Sequence, residues 1–82
     1  MNKFEYVIKD ENGIHARPAG LLAKKVQEYG FDITIECNKK SVNPKKLLAL
    51  MSMGIKKGDR ITVSSPESTD ISGLKKFFED NL

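Results

Sequence analysis

The 82-residue chain is poor in several residue types, and each shortage excludes a class of protein. It has no tryptophan, and its few phenylalanines and tyrosines fall largely on core patterns, so the aromatic-lined basic face of a nucleic-acid binder is missing. Its single cysteine, Cys37, cannot form an internal disulfide, which favours a reducing compartment and thus the cytoplasm. No apolar run is long enough for a signal peptide or a membrane span, so we expect the chain not to be membrane-embedded.

Charge is abundant by contrast, at 30% of residues, and the formal net charge is +3. Adjacent lysine pairs along the chain predict either a solvated surface or steering of acidic protein partners, and both interpretations stay open. Length and composition predict one globular domain over residues 1–82, which we expect to be a monomer. The lysine pairs stand at 24–25, 39–40, 45–46, 56–57 and 75–76.

Alternating apolar residues predict four strands, in which Phe4, Tyr6 and Ile61 are among the residues that face inward. They cover residues 3–9, 32–37, a short segment around Ser41 and Val42, and 60–65. The second and third strands form a hairpin, with Cys37 in the core. Since a helix connects the first strand to the second, these two should run parallel, with the fourth strand between them.

Helical spacing predicts three helices, all on one face of an antiparallel sheet, in the order β-α-β-β-α-β-α. The first runs from Ala16 to Tyr29 and is stopped by Gly30, and its apolar stripe consists of Ala19, Leu22, Ala23 and Val26. The second is the apolar-rich segment LLALMSMGI, which begins at Leu47 and is stopped by Gly54; the pair Asn43-Pro44 leaves open an earlier start near residue 44. Ser68 or Asp70 is the expected cap of the third, whose apolar side is formed by Ile71, Leu74, Phe77 and Phe78.

The segment GIHARPAG, residues 13–20, holds the only histidine in the chain, just where the first helix begins. A helix start offers unpaired N–H groups, here those of Ala16 and Arg17, and the positive end of the helix dipole. The guanidinium of Arg17 can hold two oxygens of a phosphoryl group. The same positive surroundings disfavour imidazolium, so His15 should be a neutral nucleophile. The segment therefore predicts a phosphoryl acceptor.

A complete catalytic apparatus is absent from the sequence. There is no second histidine, no carboxylate pair beside the segment, no phosphate-binding glycine loop and no metal-ligand cluster. We therefore expect no metal and no cofactor, and a phosphoryl carrier without turnover of its own rather than an independent enzyme.

A docking surface is predicted on two helices. Arg17, Leu21 and Lys24 share one face of the first helix, and Gly20 allows a partner to approach closely. The second helix has more apolar residues than one sheet can bury, so it is either a fully buried short helix or one that exposes a partner-binding patch. The patch would consist of Leu47, Leu48 and Met51, flanked by Lys24, Lys45 and Lys46.

The segments GIHARPAG and KSVNPKKLLALMSMGIKKG resemble those of the histidine-containing phosphocarrier protein (HPr) family of the bacterial phosphoenolpyruvate-dependent sugar phosphotransferase system. The resemblance implies an open-faced β-sandwich with sheet order 1-4-2-3. It also implies that enzyme I phosphorylates His15 on ring Nδ1 and that sugar-specific IIA domains receive the group. Arg17 would stabilise the phosphohistidine, with Asn12 and the first-turn amide of Ala16 nearby.

The sequence departs from the family at Lys46, where many members carry a regulatory serine. We therefore expect that switch to be absent, unless Ser41 or Ser52 has taken its place. Two other readings remain. One is a paralogue that serves a nitrogen-related or dihydroxyacetone-kinase phosphotransfer chain; the other is a binding-only module, against which the retained His15 and Arg17 argue.

Overall fold

The structure, a computed structural model, describes residues 2–14, 16–66 and 69–82, with Ala16 described by its backbone alone. Its elements follow the predicted order β-α-β-β-α-β-α. The strands are β1 (Lys3–Val7), β2 (Thr34–Cys37), β3 (Lys40–Val42) and β4 (Arg60–Ser64). The helices are α1 (Ala16–Val26), α2 (Leu47–Ser52) and α3 (Ser72–Asn81).

The four strands form one antiparallel sheet in the order β1-β4-β2-β3, as predicted. Because β4 pairs antiparallel with both β1 and β2, those two strands run in the same direction on either side of it. Cross-strand register brings the apolar side chains to one face, since residues directly opposite one another share a face of the sheet. One such row is Phe4, Val63, Ile35 and Val42.

The other face of the sheet is polar and open. Glu5, Thr62, Glu36 and Ser41 form its central row. The helices therefore cover a single face, and the fold is the predicted open-faced β-sandwich of the α+β class.

The core lies between the apolar sheet face and the helices. Phe78 of α3 is fully buried, and its ring meets those of Phe4 and Tyr6 edge-on at centroid distances of 5.7 and 5.6 Å. Leu22 of α1 and Leu50 of α2 are buried in the same cluster. Cys37 also lies there as a free thiol, as predicted. Contacts between α1 and both other helices complete the layer.

Helix α1 ends earlier than predicted, at Val26 rather than Tyr29. Beyond Val26 the chain tightens, because Glu28 N–H donates to Lys25 O and Tyr29 N–H donates to Val26 O, each only three residues back. Gly30 is not among the glycines with positive φ, so its assignment as the helix stop is wrong. The stop predicted at Gly54 is confirmed. Gly54 directly follows Met53, the C-cap of α2, and adopts φ +65°.

Helix α2 begins at Leu47, as the segment LLALMSMGI predicts, and the alternative start near residue 44 is wrong. The Asn43 side chain does accept a backbone hydrogen bond, from Lys45 N–H at 3.0 Å, but Lys46 N–H then donates to Asn43 O at 2.9 Å. These bonds close a turn and do not start a helix. An Asn side-chain oxygen can accept from the N–H two residues later in either motif, so the pair Asn43-Pro44 suits both. Lys46 becomes the N-cap, with extended backbone and no capping hydrogen bond from its side chain.

Helix α3 has Ile71 as its N-cap, so Asp70 is not the cap residue itself. Asp70 precedes it and accepts a hydrogen bond from Ser72 N–H at 3.0 Å, and the hydrogen bonds from Ser72, its hydroxyl first, lower the pKa of the Asp70 carboxyl. The alternative cap, Ser68, lies outside the described residues. The strands β1, β2 and β4 are each slightly shorter than predicted.

Candidate functional site

A tight turn leads from β1 toward the candidate acceptor. Asn12 N–H donates to Asp10 Oδ1 at 2.9 Å, and Gly13 N–H donates to Asp10 O at 2.9 Å. Gly13 adopts φ +66°, a conformation that glycine takes without strain. The turn predicted at Asn12-Gly13 is therefore confirmed, and the exposed Asn12 lies at its tip.

Backbone hydrogen bonds from distant segments hold this turn in place. Lys9 and Asp10 N–H both donate to Leu82 O, at 2.6 and 2.9 Å. Ile14 N–H donates to Ile55 O at 3.1 Å, just beyond the end of α2. The turn is thus joined to the end of α3 and to the end of α2 before the chain enters α1.

Helix α1 starts as the sequence predicts, with Ala16 as its first residue. Arg17 follows and is exposed, whereas Pro18 is buried and has no N–H to lose in the first turn. The first-turn N–H groups of Ala16 and Arg17 have no acceptor within their own helix, by the geometry of any α-helix. His15, the predicted acceptor, and the side chain of Ala16 lie outside the described residues.

Arg17 lines a depression on the surface, with a cavity volume of about 340 Å³. Its other lining residues are Asp10, Pro18, Leu21 and Asn81. Asp10 and Asn81 were not predicted as site residues. Asp10 had a local signal, since it precedes the Asn12-Gly13 turn, but Asn81 is brought there only because α3 ends beside β1. The depression combines a cation, a carboxylate, an amide and an apolar wall.

Four large apolar side chains are exposed on the two helices: Leu21 at 44%, Leu47 at 38%, Leu48 at 80% and Met51 at 37%. We call these four residues the helix patch. The interpretation of α2 as a fully buried helix is therefore wrong, since only one face of it, including Leu50, enters the core. That partners bind the helix patch stays a prediction.

The cations and the glycine assigned to the docking surface differ in their surroundings. Lys24 and Lys46 are exposed, whereas Lys45 is half-buried and its Nζ donates to Tyr29 O at 3.3 Å. Gly20 has open space where a Cβ would be, since no atom beyond its chain neighbours and the backbone of its own helix lies within 4 Å. The surface of α1 between Arg17 and Lys24 is thus open to a partner at Gly20.

Two perturbed titratable groups lie in the core, away from the depression. Burial, with a smaller effect of Glu79, raises the pKa of the Tyr6 hydroxyl. Burial, with a smaller effect of Asp59, raises the pKa of the Cys37 thiol. Both groups are therefore neutral in neutral solution. In the part of the chain that is described, no three metal-ligating side chains cluster, and no helix is both long and apolar enough to cross a bilayer.

An open sheet in the order β1-β4-β2-β3 beneath three helices, with an arginine in the first turn of α1, defines the HPr class of open-faced sandwiches. Comparison with known families agrees. The family profile described as the phosphotransferase-system HPr component phosphorylation site matches residues 2–80. The chain belongs to this HPr family of phosphocarrier proteins.

Individual relatives are similar over most of the chain. Phosphocarrier protein HPr of Mycoplasma capricolum subsp. capricolum is 43% identical over 65 residues, which are 79% of this chain and 73% of that protein. Among solved structures, a histidine-containing phosphocarrier protein from Mycoplasma has a TM-score of 0.75 and 36% identity, covering 94% of this chain and 83% of that one. HPr from Bacillus anthracis str. Ames has a TM-score of 0.83 and 29% identity, covering 98% and 95%.

Proposed function

We propose that this chain is a phosphocarrier of the phosphoenolpyruvate-dependent sugar phosphotransferase system. His15 accepts a phosphoryl group on ring Nδ1 from enzyme I and passes it to sugar-specific IIA domains. Membership of the HPr family supports this class of activity. The observation that carries the choice of site is the exposed Arg17 in the first turn of α1, two residues after the only histidine in the sequence.

The chemistry requires a nucleophile but no further reagent. The Nδ1 lone pair of neutral His15 attacks phosphorus, and a P–N bond forms while the bond from phosphorus to the donor breaks. The electron pair of the broken bond leaves with the donor. Donation to a IIA domain is the same step in reverse, so the chain ends each cycle unchanged and acts as a carrier without turnover of its own.

Arg17 and the first turn of α1 provide the positive charge that this step needs. The guanidinium can donate two parallel hydrogen bonds to phosphoryl oxygens, and the free N–H groups of the first turn point toward the same end of the helix. Asn12, exposed at the tip of the preceding turn, is the other polar side chain assigned to support the group. Each of these donors stabilises the chain with a dianionic phosphoryl group on His15 more than it stabilises the unphosphorylated chain, in which the imidazole is uncharged.

The helix patch supports the choice of protein partners. An exposed apolar surface on α1 and α2 is suited to burial against another protein, and methionine adapts to partners of different shape. Exposed Lys24 and Lys46 would steer partners with acidic surfaces. We further propose that the chain acts as a monomer in the cytoplasm, where the unpaired thiol of Cys37 remains reduced.

Incubation with enzyme I and phosphoenolpyruvate, followed by intact-mass measurement, tests the acceptor. The wild-type chain should gain one phosphoryl group that is labile in acid and stable in alkali, as a phosphohistidine is. His15→Ala should gain none and should retain the circular dichroism spectrum of the folded chain. An acid-stable adduct, or one that His15→Ala still gains, would contradict the proposal.

The choice of acceptor protein separates the proposal from its alternatives. The phosphorylated chain should transfer its group to a sugar-specific IIA domain. Transfer only to the IIA-type acceptor of a nitrogen-related or dihydroxyacetone-kinase chain would indicate the paralogue instead. No phosphorylation at all would indicate a binding-only module.

A further inference from the structure

Gly13 approaches the backbone of Ile55 more closely than any residue with a side chain could. A Cβ placed on Gly13 would lie 2.2 Å from Ile55 O and 2.7 Å from Lys56 Cα. Real Cβ atoms essentially never come within 3.0 Å of a heavy atom that belongs neither to their own residue nor to its chain neighbours. Both neighbours are backbone atoms, so no flexible side chain can turn aside, and any other residue must displace one segment from the other.

The contact joins the segment that enters α1 to the end of α2. Ile55 O, which would overlap with a Cβ at position 13, also accepts the hydrogen bond from Ile14 N–H. Ile55 follows Gly54, where α2 stops. One carbonyl group thus sets the separation between the chain that precedes residue 15 and the helix that carries Leu47, Leu48 and Met51.

We propose that Gly13 is a positioning residue for phosphoryl transfer, because the absence of its Cβ sets the separation between the acceptor segment and α2. This inference rests on the proposed function, in which a partner binds α2 while its reacting group reaches His15. Relief of the clash requires a shift of at least about 0.8 Å, from 2.2 Å to the 3.0 Å limit. A misplacement of about 1 Å can slow a reaction about a hundredfold.

Gly54 provides a matched control. Its φ of +65° nearly equals the +66° of Gly13, but a Cβ on Gly54 would meet no atom within 4 Å. Asparagine tolerates positive φ better than other residues with a Cβ. The variants Gly13→Asn and Gly54→Asn therefore carry similar backbone strain and differ in the space available.

Steady-state kinetics of enzyme I, with each variant as the phosphoryl acceptor, measure the effect. Gly13→Asn should lower kcat by about tenfold or more while KM stays within about threefold, because the residues of the helix patch are unchanged. Gly54→Asn should leave kcat within about twofold of wild type. A purely structural role for Gly13 would leave kcat unchanged once the rate is corrected for the folded fraction.

Amide hydrogen exchange at Ile14 reports the contact without any phosphoryl transfer. Protection of this N–H should fall in Gly13→Asn and persist in Gly54→Asn. If Gly13→Asn does not fold, a synthetic chain with an ester in place of the Ile14 amide loses the N–H donor to Ile55 O without gaining a side chain at residue 13, and its kcat should fall in the same way.

A folded Gly13→Asn chain with wild-type kcat overturns the proposal, as does an equal loss of kcat in Gly54→Asn or full kcat in the ester chain. Each of these results leaves the proposed function intact, because the wild-type chain still transfers. A wild-type chain that accepts no phosphoryl group overturns both.

Discussion

Replacement of Leu48 by serine tests whether the helix patch is a docking surface. The Leu48 side chain is 80% exposed, so it contributes little to the core of the free protein. Leu48→Ser should therefore change the free energy of unfolding by less than about 1 kcal/mol, most of it from the lower helix propensity of serine. Any larger effect should appear only when a partner binds.

The size of that effect follows from the exposure of the side chain. Complete burial of a leucine side chain is worth about 1.5–3 kcal/mol. If enzyme I covers the 80% that is exposed, Leu48→Ser removes about 1.2–2.4 kcal/mol of binding free energy. Since about 1.4 kcal/mol corresponds to a factor of ten, Kd should rise roughly sevenfold to fiftyfold.

Isothermal titration of enzyme I with each variant measures Kd directly. Val7→Ser is the matched control, because Val7 is 39% exposed but lies on the open polar face of the sheet, away from the helices. Its Kd should equal that of the wild type. A Leu48→Ser Kd within twofold of wild type, or an equal loss in Val7→Ser, would refute the assignment of the docking surface.

The other predictions concern single side chains. Arg17→Lys should slow phosphoryl transfer by about tenfold, because an ammonium group cannot donate the two parallel hydrogen bonds of a guanidinium. The melting temperature should change little, because Arg17 is exposed, and equal transfer rates would count against its role. A family-type serine kinase with ATP should phosphorylate the Lys46→Ser variant and leave the wild-type chain unmodified. If mass spectrometry instead maps phosphoserine to Ser41 or Ser52 of the wild-type chain, the switch has moved. Phe78→Ala should lower the free energy of unfolding by about 3–5 kcal/mol in urea titrations, since its buried ring packs on three others, and a loss below about 1 kcal/mol would contradict that packing. Cys37 should react with a thiol reagent far more slowly in the folded than in the unfolded chain, because burial shields the thiol and raises its pKa; equal rates would mean that it is accessible.

Local patterns were sufficient for the order of the elements and for their inward faces. Alternation placed Phe4, Tyr6 and Ile61 correctly on the buried face, since a strand has only two sides. Helical spacing likewise predicted the buried stripe of α1. The start of α1 and the exposure of Arg17 were also predictable, because they depend on residues next to one another in the chain.

Boundaries were less predictable where one local signal suits two structures. Asn43 offered an alternative helix start, but its side chain stabilises a turn, and its Nδ2 also donates to Oδ1 of Asp32, in the α1–β2 connection, at 3.2 Å. Gly30 was expected to end α1, but the helix had already tightened and stopped at Val26. In both cases the residue type by itself did not specify which hydrogen bonds the neighbouring backbone would form.

The sequence by itself determined the composition of the candidate site: one histidine, an arginine two residues later, and a helix start that leaves N–H groups free. Only the tertiary structure decided what surrounds it. Asn81 lines the same depression as Arg17, and Gly13 approaches Ile55, because the ends of α3 and α2 both pack against the turn after β1. Such encounters depend on how whole elements pack, and residues more than forty positions apart carry no local signal of them.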